Sequence, residues 1–223
     1  MFIQQFLNNL QSNPSAAILN MFVYVAALVV AISIHEAAHA FVAYRLGDPT
    51  AKIAGRLTLN PFAHLDPLGT LAMLLVGIGW GKPTPFDPFN LRNVKRDSAL
   101  ISVAGAVSNF ILAIVISLPY TISYYFLGRI PQSLAIVYDY AYIVILLNLL
   151  LGVFNLIPVH PLDGFKVLAG LLPRDWYYDF IQTERYGIFI LILLLFTGMV
   201  SRILFPIVSV LFNLLVPGFN APF

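Results

Sequence analysis

The chain has 223 residues, 60% of them hydrophobic and only 10% charged, with a net charge of +2 and no cysteine. Its mean hydropathy of +0.87 excludes an ordinary soluble globular protein, and the lack of cysteine excludes disulfides and thiolate metal ligands. Its apolar runs are continuous, without the period-two alternation of a β-barrel, so the chain reads as an all-α polytopic membrane protein.

No cleavable signal peptide is expected, because positions 1–20 hold no Lys or Arg and the first apolar run carries the chemistry described below. Phe2, Ile3, Phe6 and Leu10 fit one face of a short interfacial helix, the alternative being a frayed terminus. The first long apolar stretch, about 17–46, contains His35-Glu36-Ala37-Ala38-His39, an HExxH pattern. Histidines at i and i+4 lie about 40° apart around a helix and about 6 Å apart along it, so both imidazoles reach one tetrahedral metal ion. Glu36 falls on nearly the same side, where a carboxylate can take a proton from a water that the metal polarises. No charge occurs from Leu19 to Ile34 or from Ala40 to Tyr44. An ionised Glu in such a helix costs about 2.5 to 3.5 kcal/mol on insertion scales, which argues for a functional role over a chance match.

After this run comes Asn60-Pro61-Phe62-Ala63-His64-Leu65-Asp66-Pro67, a turn-like stretch in which His64 reads as a structural hydrogen-bonding residue or a residue behind the metal ligands. The apolar segment 67–79 is too short to span comfortably and suits a tilted or re-entrant helix. Gly77 to Pro85 cannot be a stable helix, and by its residues it reads as an interfacial loop anchored by Trp80. In the second long stretch, 98–128, Ala104, Gly105 and Ser108 favour close helix packing. Asn109 there, like Asn148 in the third stretch (134–157), joins helices, or in the case of Asn109 lines the substrate path.

Two ligands from HExxH leave a catalytic zinc one short. The best third candidate is Asp163, in Asn155-Leu156-Ile157-Pro158-Val159-His160-Pro161-Leu162-Asp163-Gly164, where two prolines break helical continuity at membrane depth. The alternative is that Asp163 caps a short helix over 164–172. His160 reads as a polar loop residue, a partner behind the ligands or a fourth ligand. Glu184, the one other glutamate, lies in a polar stretch and is a weak candidate. In the last run, 186–216, Arg202 and Pro206 either divide the run into two helices or kink a single one. Five to six transmembrane helices are therefore expected, with a re-entrant or short extended segment near the site.

Arg45, Lys52, Arg56, Lys82, Arg92, Lys95 and Arg96 lie between the first and second long runs, and Lys166, Arg174 and Arg185 between the third and last. By the positive-inside rule both segments face the cytoplasm, which puts His35 and His39 toward the cytoplasmic end of their helix.

These motifs together resemble the site-2 proteases, intramembrane zinc metalloproteases, in their small prokaryotic form. The resemblance rests on HEAAH, on Gly105-xxx-Asn109, on Asn60 to Gly69 and on Asn155-xx-Pro158-xxx-Leu162-Asp163-Gly164, covering about 30–172. It departs at Ala106 and His160, where relatives often have Pro. It implies one zinc ion held by His35, His39 and Asp163, Glu36 as general base, and Asn155 as support for the oxyanion. It further implies cleavage of membrane-protein substrates in or near transmembrane segments, often after a first cut. For Gly77 to Pro85 it suggests, as the alternative to the loop, an extended edge that pairs with an unwound substrate, with Gly79 and Trp80 as contacts. On this reading 1–223 is one membrane-embedded domain, with C-terminal helices at about 184–216, in the cell membrane. A catalytically silent metal-binding protein or an ion transporter is the competing class, and Glu36 argues against it. Substrate identity and oligomeric state are not legible, and no feature points to nucleic acid.

Overall fold

The computed structural model describes residues 11–76, 80–127 and 135–217. The expected interfacial helix around Phe2 to Leu10 and the substrate contact at Gly79 lie outside the described residues. Helices run α1 Pro14–Arg45, α2 Thr50–Ile53, α3 Pro67–Val76, α4 Val94–Leu127, α5 Ala135–Asn155, α6 Asp163–Leu171, α7 Arg174–Gln182, α8 Gly187–Phe196 and α9 Met199–Leu215. Three of them, α1, α4 and α5, are long and apolar enough to cross a membrane, and the stretch 174–196 with α9 makes a fourth, bent by 75°. The chain is thus an all-helical membrane protein. Three to four such helices among the described residues are roughly consistent with the five to six expected.

α1 starts where the Asn13 side chain accepts the Ala16 N–H at 3.2 Å, with Pro14 preset at the first helical position. Its 32 residues extend about 48 Å, well beyond an apolar bilayer core of about 30 Å. Just past its end, fully buried Asp48 accepts the Thr50 N–H and hydroxyl at 3.0 and 2.5 Å, the Asp87 N–H at 2.8 Å and the Asn90 amide at 2.8 Å. Burial pushes this carboxyl up, but the hydrogen bonds outweigh it and hold it below the usual carboxylate range. Asp48 thereby pins the end of α1 to the turn at Pro88–Asn90.

Lipid tails are as apolar as leucine, so helices in a membrane associate through close packing and buried polar bonds rather than through hydrophobic expulsion. Accordingly, Ala31, Ala40 and Ala43 of α1 and Ala106 and Ala113 of α4 are fully buried. α4 is the central helix, packing on α1, α5 and α6. Val208 and Phe212 of α9 close a second cluster against Ile145 and Leu149 of α5 and Tyr120 of α4.

The last apolar run is divided, but not where Arg202 and Pro206 were expected to divide or kink it. Both lie inside α9, and the break falls at Thr197–Gly198, where Gly198 takes φ +69°. This left-handed conformation ends a helix and is free of Cβ strain only in glycine.

Between α3 and α4 the chain from Trp80 to Asp87 is not helical, and the residues before Pro83 and Pro85 are biased toward extended backbone. It makes one antiparallel bridge, Leu65 with Gly81, and the Lys82 N–H donates to the His64 carbonyl at 2.8 Å. The buried Arg56 guanidinium donates to the Ala63 and Lys82 carbonyls, the latter at 3.2 Å, clamping this segment to the turn at Pro61–Ala63. This segment, with its single bridge, meets α1 at Glu36.

Candidate metal centre

Six residues before the end of α1, and so about 9 Å inside it, His39 stands one turn below His35. The two rings are nearly perpendicular, 88° apart, with centroids 4.6 Å apart, and both residues are buried. Asp163 is the first residue of α6, and no side chain caps this helix. Its Oδ2 instead lies 3.0 Å from His35 Nε2 and 3.1 Å from His39 Nε2. The capping role weighed for Asp163 is therefore not what its carboxylate does. Donor atoms about 2.0 to 2.1 Å from a tetrahedral zinc stand about 3.3 Å apart, so two imidazole nitrogens and a carboxylate oxygen at these spacings fit that ion.

The other ring nitrogens explain why Nε2 points inward. His35 Nδ1 meets Asn109 Oδ1 at 2.7 Å, and His39 Nδ1 meets the Ile101 carbonyl at 2.7 Å. An acceptor at Nδ1 places the proton there and leaves the Nε2 lone pair for a metal. Asn109 is fully buried and spends its amide on the Ala31 carbonyl at 3.1 Å and on Asn148 Oδ1 at 2.8 Å. Asn148 in turn donates to Val144 of its own helix at 2.8 Å. A chain of amides from α5 through α4 thus orients a histidine on α1, which realises the expected joining of helices and adds to it a hold on His35. Gly105 leaves the room: a Cβ there would stand 2.5 Å from His35 Nε2 and 2.6 Å from His39 Cε1.

Glu36 groups with both histidines, its carboxylate and their ring nitrogens lying within 4.8 Å of one another. Thr84 of the extended segment donates its N–H to Glu36 Oε2 at 2.7 Å and its hydroxyl to the Glu36 carbonyl at 3.0 Å. Nothing in the sequence around Thr84 signalled this contact, because a backbone N–H carries no residue identity. Trp80 is 55% exposed at the start of the segment.

The remaining candidates are spread out. Asn155, eight residues before Asp163, donates its amide to Leu151 of its own helix at 3.0 Å. His64 is fully buried, with Nε2 on the Thr58 carbonyl at 2.8 Å, in keeping with a structural role. His160 faces Glu184, Nδ1 to Oε1 3.4 Å, and packs edge-on against Phe165. That contact ties the 156–162 loop to the turn at Thr183–Tyr186.

Residues 121–198, which include Asp163, match the description Peptidase family M50. YwhC of Bacillus subtilis is 39% identical over 186 residues, 82% of this chain and 84% of its own length. The chain belongs to peptidase family M50, the site-2 protease family. Rip2 of Mycolicibacterium smegmatis is 27% identical over 194 residues, covering 85% of this chain and 72% of that protein. MJ0392 of Methanocaldococcus jannaschii, named a zinc metalloprotease, is 29% identical over 188 residues, or 82% of this chain and 44% of its own length. YwhC and Rip2 carry the same designation provisionally. No solved structure matches the chain. With the family, the zinc-fitting cluster and the apolar helices together, this M50 chain is an intramembrane zinc metalloprotease.

Proposed function

We propose that His35, His39 and Asp163 hold the zinc ion and that Glu36 is the general base in the hydrolysis of peptide bonds in or near transmembrane segments of membrane-protein substrates. The observation that carries this reading is the convergence of His35 Nε2, His39 Nε2 and Asp163 Oδ2 from two distant helices, with the Glu36 carboxylate beside them. When bound, zinc supplies Lewis-acid polarisation of the attacking water and of the scissile carbonyl. Glu36, oriented by the Thr84 N–H, takes the proton from that water and delivers it to the leaving amine. Asn155 supports the oxyanion by turning its amide from the Leu151 carbonyl toward the substrate. A helical carbonyl is already hydrogen-bonded and shielded, so the substrate must unwind locally before attack. Gly, Pro or Asn near the cut would lower that cost, and a prior cut outside the membrane would free the segment to approach.

The basic residues in 45–97 and 166–185 support a multi-pass protein of the cell membrane with its site toward the cytoplasm. A silent metal-binding protein or an ion transporter is not favoured: the relatives are named as zinc metalloproteases, and a silent metal site has no need of a base beside the donors.

The test is bound zinc in the purified protein and its variants, followed by cleavage of a transmembrane substrate. About one zinc per chain is expected in the wild type and little in Asp163→Ala. Glu36→Gln should keep its zinc and lose about 10² to 10⁴-fold in turnover. Full zinc retention in Asp163→Ala would remove Asp163 from the ligand set.

A further inference from the structure

Beside the metal centre, on the side where the chain leaves α1, lies a cavity of 480 Å³ between the extended segment, the start of α4, and helices α6 and α7. Thr84, Phe86, Lys166, Tyr177 and Glu184 are among its walls. It adjoins the catalytic base directly, since the Thr84 that lines it donates to Glu36 Oε2 at 2.7 Å. A substrate backbone that followed this segment away from Glu36 would enter this space.

The cavity holds two lysines in different situations. Lys95 donates its ammonium to the Leu172 carbonyl and lies toward the Tyr177 ring, 5.4 Å from its centroid. Lys166 lies over the Phe86 ring at 4.3 Å, and among the described residues no carboxylate lies within 4.0 Å of it. The one acid in the wall, Glu184, is engaged with His160 at 3.4 Å. Burial pushes the Lys166 ammonium down, with Asp163 and Glu184 acting in the opposite sense from further away. A half-buried ammonium on an aromatic face, without an anion, gains most from a carboxylate brought in by a ligand.

The geometry points to this cavity as a specificity pocket that takes an acidic side chain, Asp or Glu, from the cytoplasmic flank of the substrate, with Lys166 as its counter-charge. The inference rests on the proteolytic reading above and deepens it by naming a feature of the substrate. It also has a consequence for selection. Cytoplasmic flanks of transmembrane segments are rich in Lys and Arg, so a buried lysine here turns away the common flank and admits the uncommon one.

The experiment uses the zinc-loaded full chain in vesicles of neutral lipid, with a set of transmembrane substrates that differ only in carrying Glu, Gln or Lys at each position on the cytoplasmic side of the cut. At one position the wild type should cleave the Glu substrate about tenfold faster in kcat/KM than the Lys substrate, with Gln between them. Lys166→Glu should reverse that order, and Lys166→Met, which keeps the stem, should level it. Zinc content is read for each variant, so a preference lost with the metal is not mistaken for a lost pocket. An order unchanged in a zinc-loaded Lys166→Glu or Lys166→Met protein overturns the pocket and leaves the protease reading intact. No cleavage of any substrate by the zinc-loaded wild type overturns the reading and the pocket with it. A rate that follows added anionic lipid instead of substrate charge, and loses this dependence in Lys166→Met, assigns the pocket to a headgroup and overturns the inference.

Discussion

At the residue scale the site is defined by what holds its ligands from behind. Asn109 costs the membrane interior a buried amide, yet every polar atom of that amide is used, on His35, Ala31 and Asn148. Asn109→Ala is expected to lower zinc affinity about 10 to 100-fold, measured by competition with a chelator, while leaving the helical content unchanged. Gly105→Ala should be more severe, because the added methyl would stand 2.5 Å from His35 Nε2 and 2.6 Å from His39 Cε1 and so push both rings from their positions. That variant is expected to lose bound zinc in metal analysis, since a shifted ring turns its Nε2 away from the proposed metal position. HExxH could be read from the sequence at once, because its chemistry lies within one helical turn. The hold on Nδ1 could not, because Asn109 and Ile101 meet the histidines across 74 and 62 residues of chain.

At the element scale the extended segment and the end of α1 act as one frame around Glu36. Thr84 reaches Glu36 through its backbone, so Thr84→Pro removes the donor where Thr84→Val would keep it. Thr84→Pro should lower cleavage about tenfold or more with zinc still bound, as befits a hydrogen bond to a charged group worth about 1.5 to 3 kcal/mol. Asp48 supplies the other fixing point. Its folded-state pKa lies below its ordinary value of 3.8, so the stability it contributes is present above that value and is lost as pH falls through the folded one. Thermal unfolding of the wild type should therefore lose stability below about pH 4 more steeply than that of Asp48→Asn, which has no proton to gain. The break in the last run makes the same point from another side. Arg202 and Pro206 looked like its cause, whereas Gly198, one glycine in an apolar run, supplies the left-handed turn.

At the scale of the whole molecule, a zinc ion held as proposed would tie α1 to α6 through His35 and Asp163, 128 residues apart in sequence. A ligand that binds only the folded state stabilises by about 4 kcal/mol at a thousand times its dissociation constant. Removing zinc with a chelator should lower Tm in the wild type and leave it unmoved in Asp163→Ala. The chain holds no cysteine, so single cysteines introduced in the turn at Pro88–Asn90 and in α7 report topology without background. Both should react with an impermeant thiol reagent only from the cytoplasmic side; labelling from opposite sides would contradict the orientation proposed from the basic residues.

Composition and local spacing alone determined the membrane class, the long apolar helices and the HExxH pair, because each depends on hydrophobicity or on contacts within a turn. Asp163, by contrast, was only a candidate along the chain, since it meets His35 across 128 residues. Only the tertiary structure decided the hold on the histidines through Asn109 and the Ile101 carbonyl, the Thr84 contact to Glu36, the place of His160 against Glu184, and the cavity over Lys166. Each of these contacts joins separate elements through backbone atoms or small polar groups. The meeting of such groups is set by how helices pack, and no residue pattern along the chain records it.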